Sequence, residues 1–113
     1  MNVRELLQSK KEAVITIDAE DTIGAAAHKM SANRIAALVV MKDDAPVGII
    51  SEKDIVRTLA DDGPQAGRRV ISSLPSTGLE GIAPEATLKQ AMSLMTYSRR
   101  RHLMVTEGTR LVG

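Results

Sequence analysis

The constraint that bears hardest on this chain is an internal repeat. Displaced by 65 positions, residues 17–48 overlie residues 82–113 without a gap, so that Ile17, Glu20, Thr22, Ala26, Met30 and Arg34 meet Ile82, Glu85, Thr87, Ala91, Met95 and Arg99. Leu38, Val40, Val47 and Gly48 continue the match with Leu103, Val105, Val112 and Gly113. A duplicated unit of this length is one supersecondary element that cannot bury its apolar face alone, so the two copies are expected to pack on each other. Such packing leaves clefts, and ligands bind in clefts.

Apolar periodicity resolves the unit into elements. Residues 13–17 are a β-branched run ending at Asp18 and predict a strand. Thr22 opens a helix reaching Asn33, because Ile23, Ala26, Ala27 and Met30 recur at helical spacing. The continuously apolar stretch 36–41 predicts a strand covered on both faces. Lys42, Asp43 and Asp44 form a turn, 46–50 return as a strand, and a helix over 52–59 ends at Asp61, Asp62, Gly63 and Pro64. The second copy follows the same order: a strand at 79–82, a helix at 87–97, a strand at 103–106, a turn at Gly108 and Thr109, and a strand from Arg110. Residues 3–8 predict a short leading helix with Val3, Leu6 and Leu7 on one side.

The fold class expected is therefore α/β, two stacked strand-helix-strand-strand-helix repeats related by a pseudo-twofold axis. The first is expected to take 1–66 with the leading helix, and the second, with its linker, 67–113. The second copy reaches Gly113, the equivalent of Gly48, without a counterpart of the last helix. Leu103, Val105, Leu111 and Val112 are thus expected to lie uncovered unless a segment like 49–60 follows or a dimer partner covers them.

Bulk composition excludes several classes. A chain of 113 residues that is 43% hydrophobic suits one domain with a real core, and with Tyr97 the sole aromatic that core must be aliphatic. Fifteen basic against fourteen acidic side chains leave a net charge of +1. That offers no global field for nucleic acid, and no aromatic ladder exists for base stacking, so nucleic acid is not an expected partner. The lack of cysteine excludes disulfides and thiolate chemistry and fits a reducing compartment. No apolar run approaches membrane-spanning length, so a soluble cytoplasmic protein is expected. His28 and His102 lie in different copies without a paired carboxylate at ligand spacing, and no serine sits in Gly-x-Ser-x-Gly. Neither a metal site nor catalysis is expected. Met30, Met92 and Met95 read as core filler or a partner face.

The sharpest local motif is Gly48-Ile49-Ile50-Ser51-Glu52-Lys53-Asp54, a buried strand delivering a serine and an aspartate to a helix start. It predicts a capping box, with Ser51 accepting from the Asp54 amide and the carboxylate reaching back. Amides at a helix start also form an anion site. Ser51 can donate to a phosphate oxygen, and the carboxylate can accept both hydroxyls of a ribose; a phosphate and a diol together describe a nucleotide. The basic run 99–101 beside His102 reads either as a solvated surface complementing a helix dipole or as a phosphate contact.

Together, the repeat, the stretch from Val47 to Val56 and the stretch Arg99-Arg100-Arg101-His102-Leu103-Met104-Val105 resemble the tandem cystathionine β-synthase (CBS) domain family, whose paired copies form a Bateman module. The resemblance implies a regulatory ligand containing adenosine: AMP, ADP, ATP, S-adenosylmethionine or NAD(H), with no cofactor required. It gives Ser51 a phosphate contact, Asp54 the ribose, Arg101 and His102 the phosphates from the other copy, and Val14, Ile15, Thr16 and Ala37 an apolar slot for adenine. Met104 stands where many relatives have proline. The expected function is adenine-nucleotide sensing that signals through a homodimer or a regulated protein partner. A ligand-free interaction module is the alternative, and a weak enzyme of nucleotide metabolism a third. The small residues Gly24, Ala25, Ala26 and Ala27 would let another helix layer approach closely, which favours a twofold homodimer.

Overall fold

A computed structural model of the chain describes residues 1–10, 13–74 and 81–113. The elements are α1 (Val3–Ser9), β1 (Thr16–Asp18), α2 (Ile23–Asn33), β2 (Ala37–Lys42), β3 (Ala45–Ser51), α3 (Glu52–Asp62), β4 (Gly81–Ile82), α4 (Leu88–Ser98), β5 (Met104–Glu107) and β6 (Arg110–Leu111), with two short 3-10 turns at Gly63–Arg68 and Ile71–Ser73. The run expected to be covered on both faces is the middle strand of the first sheet: β2 pairs parallel with β1 and antiparallel with β3. Leu38, Val39 and Val40 are all buried, which explains why polar alternation is absent from it. The helix α2 is the crossover that a parallel pair requires. Thr22 Oγ1 accepts the Ala25 N–H at 3.1 Å, and Ile23, Ala26 and Met30 pack with Ile17, Leu38, Val40 and Ile50 in one core. Asp43 and Asp44 both take positive φ, 51° and 62°, between the paired Lys42 and Ala45. Two-residue hairpins favour that handedness, and aspartate tolerates it.

The second sheet repeats the first, with β4 parallel to β5 and β5 antiparallel to β6. The equivalence extends to the caps. Thr87 Oγ1 accepts the Gln90 N–H at 3.1 Å, as Thr22 does for Ala25. Arg34 and Arg99, 65 positions apart, both end their helices in the left-handed region at φ 54° and 57°. The α/β class and the duplicated unit are thus present as expected. Boundaries differ: β1 begins at Thr16 rather than residue 13, and α3 runs on to Asp62. Of the strand expected at 79–82, residues 79 and 80 lie outside the described residues.

Helix α1 attaches to the second repeat. Val3 N–H donates to Ala86 O at 2.9 Å and Arg4 N–H to Pro84 O at 2.8 Å. In the first repeat Ile71 N–H meets Asp21 O at 2.8 Å and Ser72 N–H meets Ala19 O at 2.9 Å. Those acceptors are equivalent positions of the two copies, so residues 3 and 4 do for the second repeat what residues 71 and 72 do for the first. The Arg4 guanidinium reaches Glu85 at 2.8 Å and Glu107 at 3.6 Å. Its direct hydrogen bond holds the Glu85 carboxyl below the usual carboxylate range. Leu7 lies so close to Gly113 that a Cβ there would meet its Cδ2 at 2.8 Å. The face expected to be uncovered differs accordingly: Val105 is 5% exposed, and Leu103, Leu111 and Val112 are half-buried.

The small residues of α2 are also used within the chain. Ala26 is fully buried, and a Cβ on Gly24 would stand 3.0 Å from Gly67 O in the first 3-10 turn. Met30 is core, whereas Met92 is exposed. Among the described residues no helix is long and apolar enough to cross a membrane.

Candidate functional site

The first wall of the site is built where β3 runs directly into α3. Ala37 pairs opposite Ser51, and Glu52 N–H donates to Ala36 O at 3.0 Å, so the sheet holds Ser51 at the helix start. Ser51 and Asp54 form the expected capping box. Ser51 N–H donates to Asp54 Oδ2 at 2.8 Å, and the Ser51 hydroxyl donates to the same oxygen at 3.0 Å. Among the described residues no donor meets Asp54 Oδ1, which leaves that oxygen for a ligand. Thr58, the one buried polar residue among those described, donates its hydroxyl to Asp54 O at 2.7 Å and stiffens this turn. Ser51 N–H is taken by Asp54 and Glu52 N–H by Ala36 O, so the start of α3 presents its positive dipole end to the cleft with few first-turn amides unused.

The second wall comes from the other repeat. Left-handed Arg99 ends α4, and Arg100 N–H donates to Met95 O at 3.0 Å. That reversal carries residues 100–102 to the same cleft as Ser51. The cleft has a volume of about 570 Å³ and is lined by Ser51 and Asp54 from the first repeat and by Arg101 and His102 from the second. Four predicted residues, two from each repeat, therefore line one cleft.

The other four do not line this cleft. Ile15 packs against the core, and Val14 is exposed. Thr16 pairs with Val39, and its carbonyl accepts from Lys29 Nζ at 2.5 Å. Ala37 neighbours Ser51 across the ladder, while Ala36, Ile49 and Val56 supply the apolar lining. Sequence reasoning also missed Lys53 and Arg57, which line the cleft from α3; their four-residue spacing on a helix was the available signal. A neighbouring cavity of about 320 Å³ shares Asp54 and Arg57 with the cleft and is lined also by Arg69, whose guanidinium pairs with Asp62 at 3.0 Å.

Chemically, the cleft sets one carboxylate oxygen and the positive end of α3 opposite cationic side chains, with the Ser51 hydroxyl donated to Asp54 in this state. Known proteins share the fold. The CBS domain family profile matches residues 3–61. The mitochondrial CBS domain-containing protein CBSX3 of Arabidopsis thaliana is 30% identical over 99 residues, 83% of this chain; the chain spans only 48% of that protein's length. The crystal structure of the CBS-domain containing protein ATU1752 from Agrobacterium tumefaciens superposes with a TM-score of 0.92 at 32% identity, over 100% of this chain and 90% of that one. The CBS domain protein PAE2072 from Pyrobaculum aerophilum, complexed with AMP, shares the fold at 22% identity and a TM-score of 0.84, over 100% of this chain and 85% of that one. With the duplicated three-stranded unit, its caps and a profile match over half its length, the chain belongs to the CBS domain family.

Proposed function

We propose that the chain is a regulatory module that senses an adenine nucleotide of the AMP or ATP type in the cleft between its repeats and performs no chemistry of its own. One observation carries the reading: the Ser51–Asp54 capping box of one repeat and Arg101 and His102 of the other converge on a single cavity. Asp54 Oδ1 accepts from the ribose hydroxyls, the Ser51 hydroxyl turns from Asp54 to a phosphate oxygen beside the positive end of α3, and Arg101 and His102 complete the phosphate contact. Adenine contacts rest by resemblance on Val14, Ile15, Thr16 and Ala37, with Ala36 and Ile49 as nearer apolar surface. The AMP complex of PAE2072 lends support, since that protein has the same fold. A ligand touching both repeats couples their relative placement, and a homodimer or protein partner reads the change. Exposed Val56, Leu59, Met92 and Tyr97 offer apolar surface for it.

The test is mass spectrometry of small molecules released from purified protein, joined to melting curves with AMP and ATP. A ligand that binds only the folded state raises the melting temperature by mass action. Absence of any adenosine compound in the extract, with melting unmoved by saturating AMP and ATP, refutes the proposal.

A further inference from the structure

We infer that the cleft discriminates nucleotides by the number of their phosphates and rejects the sulfonium form of adenosine. This rests on the adenine-nucleotide reading and concerns which member of that class the site takes. Lys53 and Arg57 enter the cleft from α3, and Arg99, Arg100, Arg101 and His102 from the end of α4. Five formal positive charges, with His102 neutral, stand against the two carboxylates of Glu52 and Asp54. One oxygen of Asp54 is already held by Ser51. The whole chain carries only +1, so this excess is local. Among the described residues the ion pairs involve Arg4, Arg69 and Arg110, and none of the five cleft cations has a carboxylate partner.

Comparison of the two repeats separates this cluster from a helix-end charge preference. The positions equivalent to Arg99, Arg100, Arg101 and His102 are Arg34, Ile35, Ala36 and Ala37. Both helices end on the shared left-handed arginine, so Arg34 and Arg99 satisfy whatever the helix end requires. The other basic residues occur only in the copy that faces Ser51, Asp54 and the α3 N-terminus, whose dipole adds potential of the same sign. Like charges held unpaired in one cleft repel each other, and each phosphate of a bound ligand relieves that repulsion. A single phosphate engages part of the cluster, whereas a di- or triphosphate extends across it, with arginine suited to the bidentate contacts. S-adenosylmethionine brings a sulfonium, an ammonium and a single carboxylate, hence a net positive charge and no phosphate, so the same field opposes it.

The test is titration calorimetry on the full chain with adenosine, AMP, ADP, ATP and S-adenosylmethionine at low and raised sodium chloride, with inorganic tripolyphosphate as an adenine-free probe. Affinity is expected to rise with each phosphate, by about tenfold or more from AMP to ATP, with S-adenosylmethionine weaker than adenosine. The AMP-to-ATP gap narrows as salt rises, because the Debye length falls below about 10 Å above 0.1 M. The double variant Arg100→Gln/Arg101→Gln closes the gap between AMP and ATP and costs ATP far more affinity than adenosine. Equal affinity for AMP and ATP in the wild type, or S-adenosylmethionine binding as tightly as AMP, overturns the inference while the nucleotide reading survives. If no adenosine compound binds, that reading fails and tripolyphosphate decides alone. Saturable, salt-sensitive binding lost in the double variant supports a phosphate-counting cleft, and no binding overturns it.

Discussion

Asp54 serves two roles that one pair of substitutions can separate. Its Oδ2 accepts the Ser51 N–H at 2.8 Å and the Ser51 hydroxyl at 3.0 Å, which holds the start of α3. Asp54→Ala removes that cap, and loss of an N-terminal cap costs about 0.5–2 kcal/mol of stability. For a domain of this size, a loss of about 1 kcal/mol lowers the melting temperature by roughly 4 °C. The same substitution removes the free Oδ1 offered to a ribose diol. Losing a charged hydrogen-bond partner costs about 1.5–3 kcal/mol, which weakens AMP and ATP binding by roughly ten- to a hundredfold. Asp54→Asn divides these effects. Its amide oxygen can still accept from Ser51 and restore much of the stability, but its nitrogen cannot accept from a diol, so the binding loss remains. Thermal melts and titration calorimetry with AMP and ATP on wild type and both variants read the two effects separately. Wild-type affinity in folded Asp54→Ala, or full recovery of affinity in Asp54→Asn, would show that the carboxylate only caps the helix and would refute the ribose assignment.

Other perturbations test the framework. Leu38, 1% exposed at the centre of β2, should lose about 2.7–5 kcal/mol on Leu38→Ala, read by urea unfolding; a loss below about 1 kcal/mol would remove it from the core. Gly24→Ala gains up to about 1 kcal/mol of helix propensity, yet its Cβ would stand 3.0 Å from Gly67 O. A lower melting temperature is therefore expected, and a higher one would show that the 3-10 turn yields freely. The Arg4–Glu85 contact holds the carboxyl below its ordinary value, first through the side-chain hydrogen bond. A lowered folded value means that its support for α1 is present above the ordinary glutamate value and is lost as pH falls through the lowered one. Hydrogen-exchange protection of the Val3 and Arg4 amides should fall in acid, and Glu85→Gln should abolish that dependence; an unchanged profile in the variant would assign the docking to the backbone bonds alone.

Much of the fold was legible because its signals are local. Thr22 and Thr87 announce helix starts through their own side chains, and both accept from the amide three residues on. The apolar run at β2 signals a middle strand, since only a strand packed on both faces dispenses with polar alternation. Ser51 and Asp54 lie three positions apart, so the capping box and half of the candidate site could be read directly. Strand ends were less legible because pairing sets them: β1 spans three residues, each matched to Val39, Val40 or Met41 of β2.

By itself, then, the sequence determined a duplicated α/β unit, its caps, its aliphatic core and a helix start closed by a serine and an aspartate. Each of these depends on spacings within one element or on an alignment of the chain with itself. Only the tertiary structure decided that Lys53 and Arg57 join residues 100–102 beside Ser51, and that Ala36, Ile49 and Val56 line that cleft. It also decided that α1 docks on the second repeat and that Gly24 meets Gly67. Such contacts join segments far apart in the chain. They follow from how two apolar faces pack against each other, a quantity that no local spacing encodes.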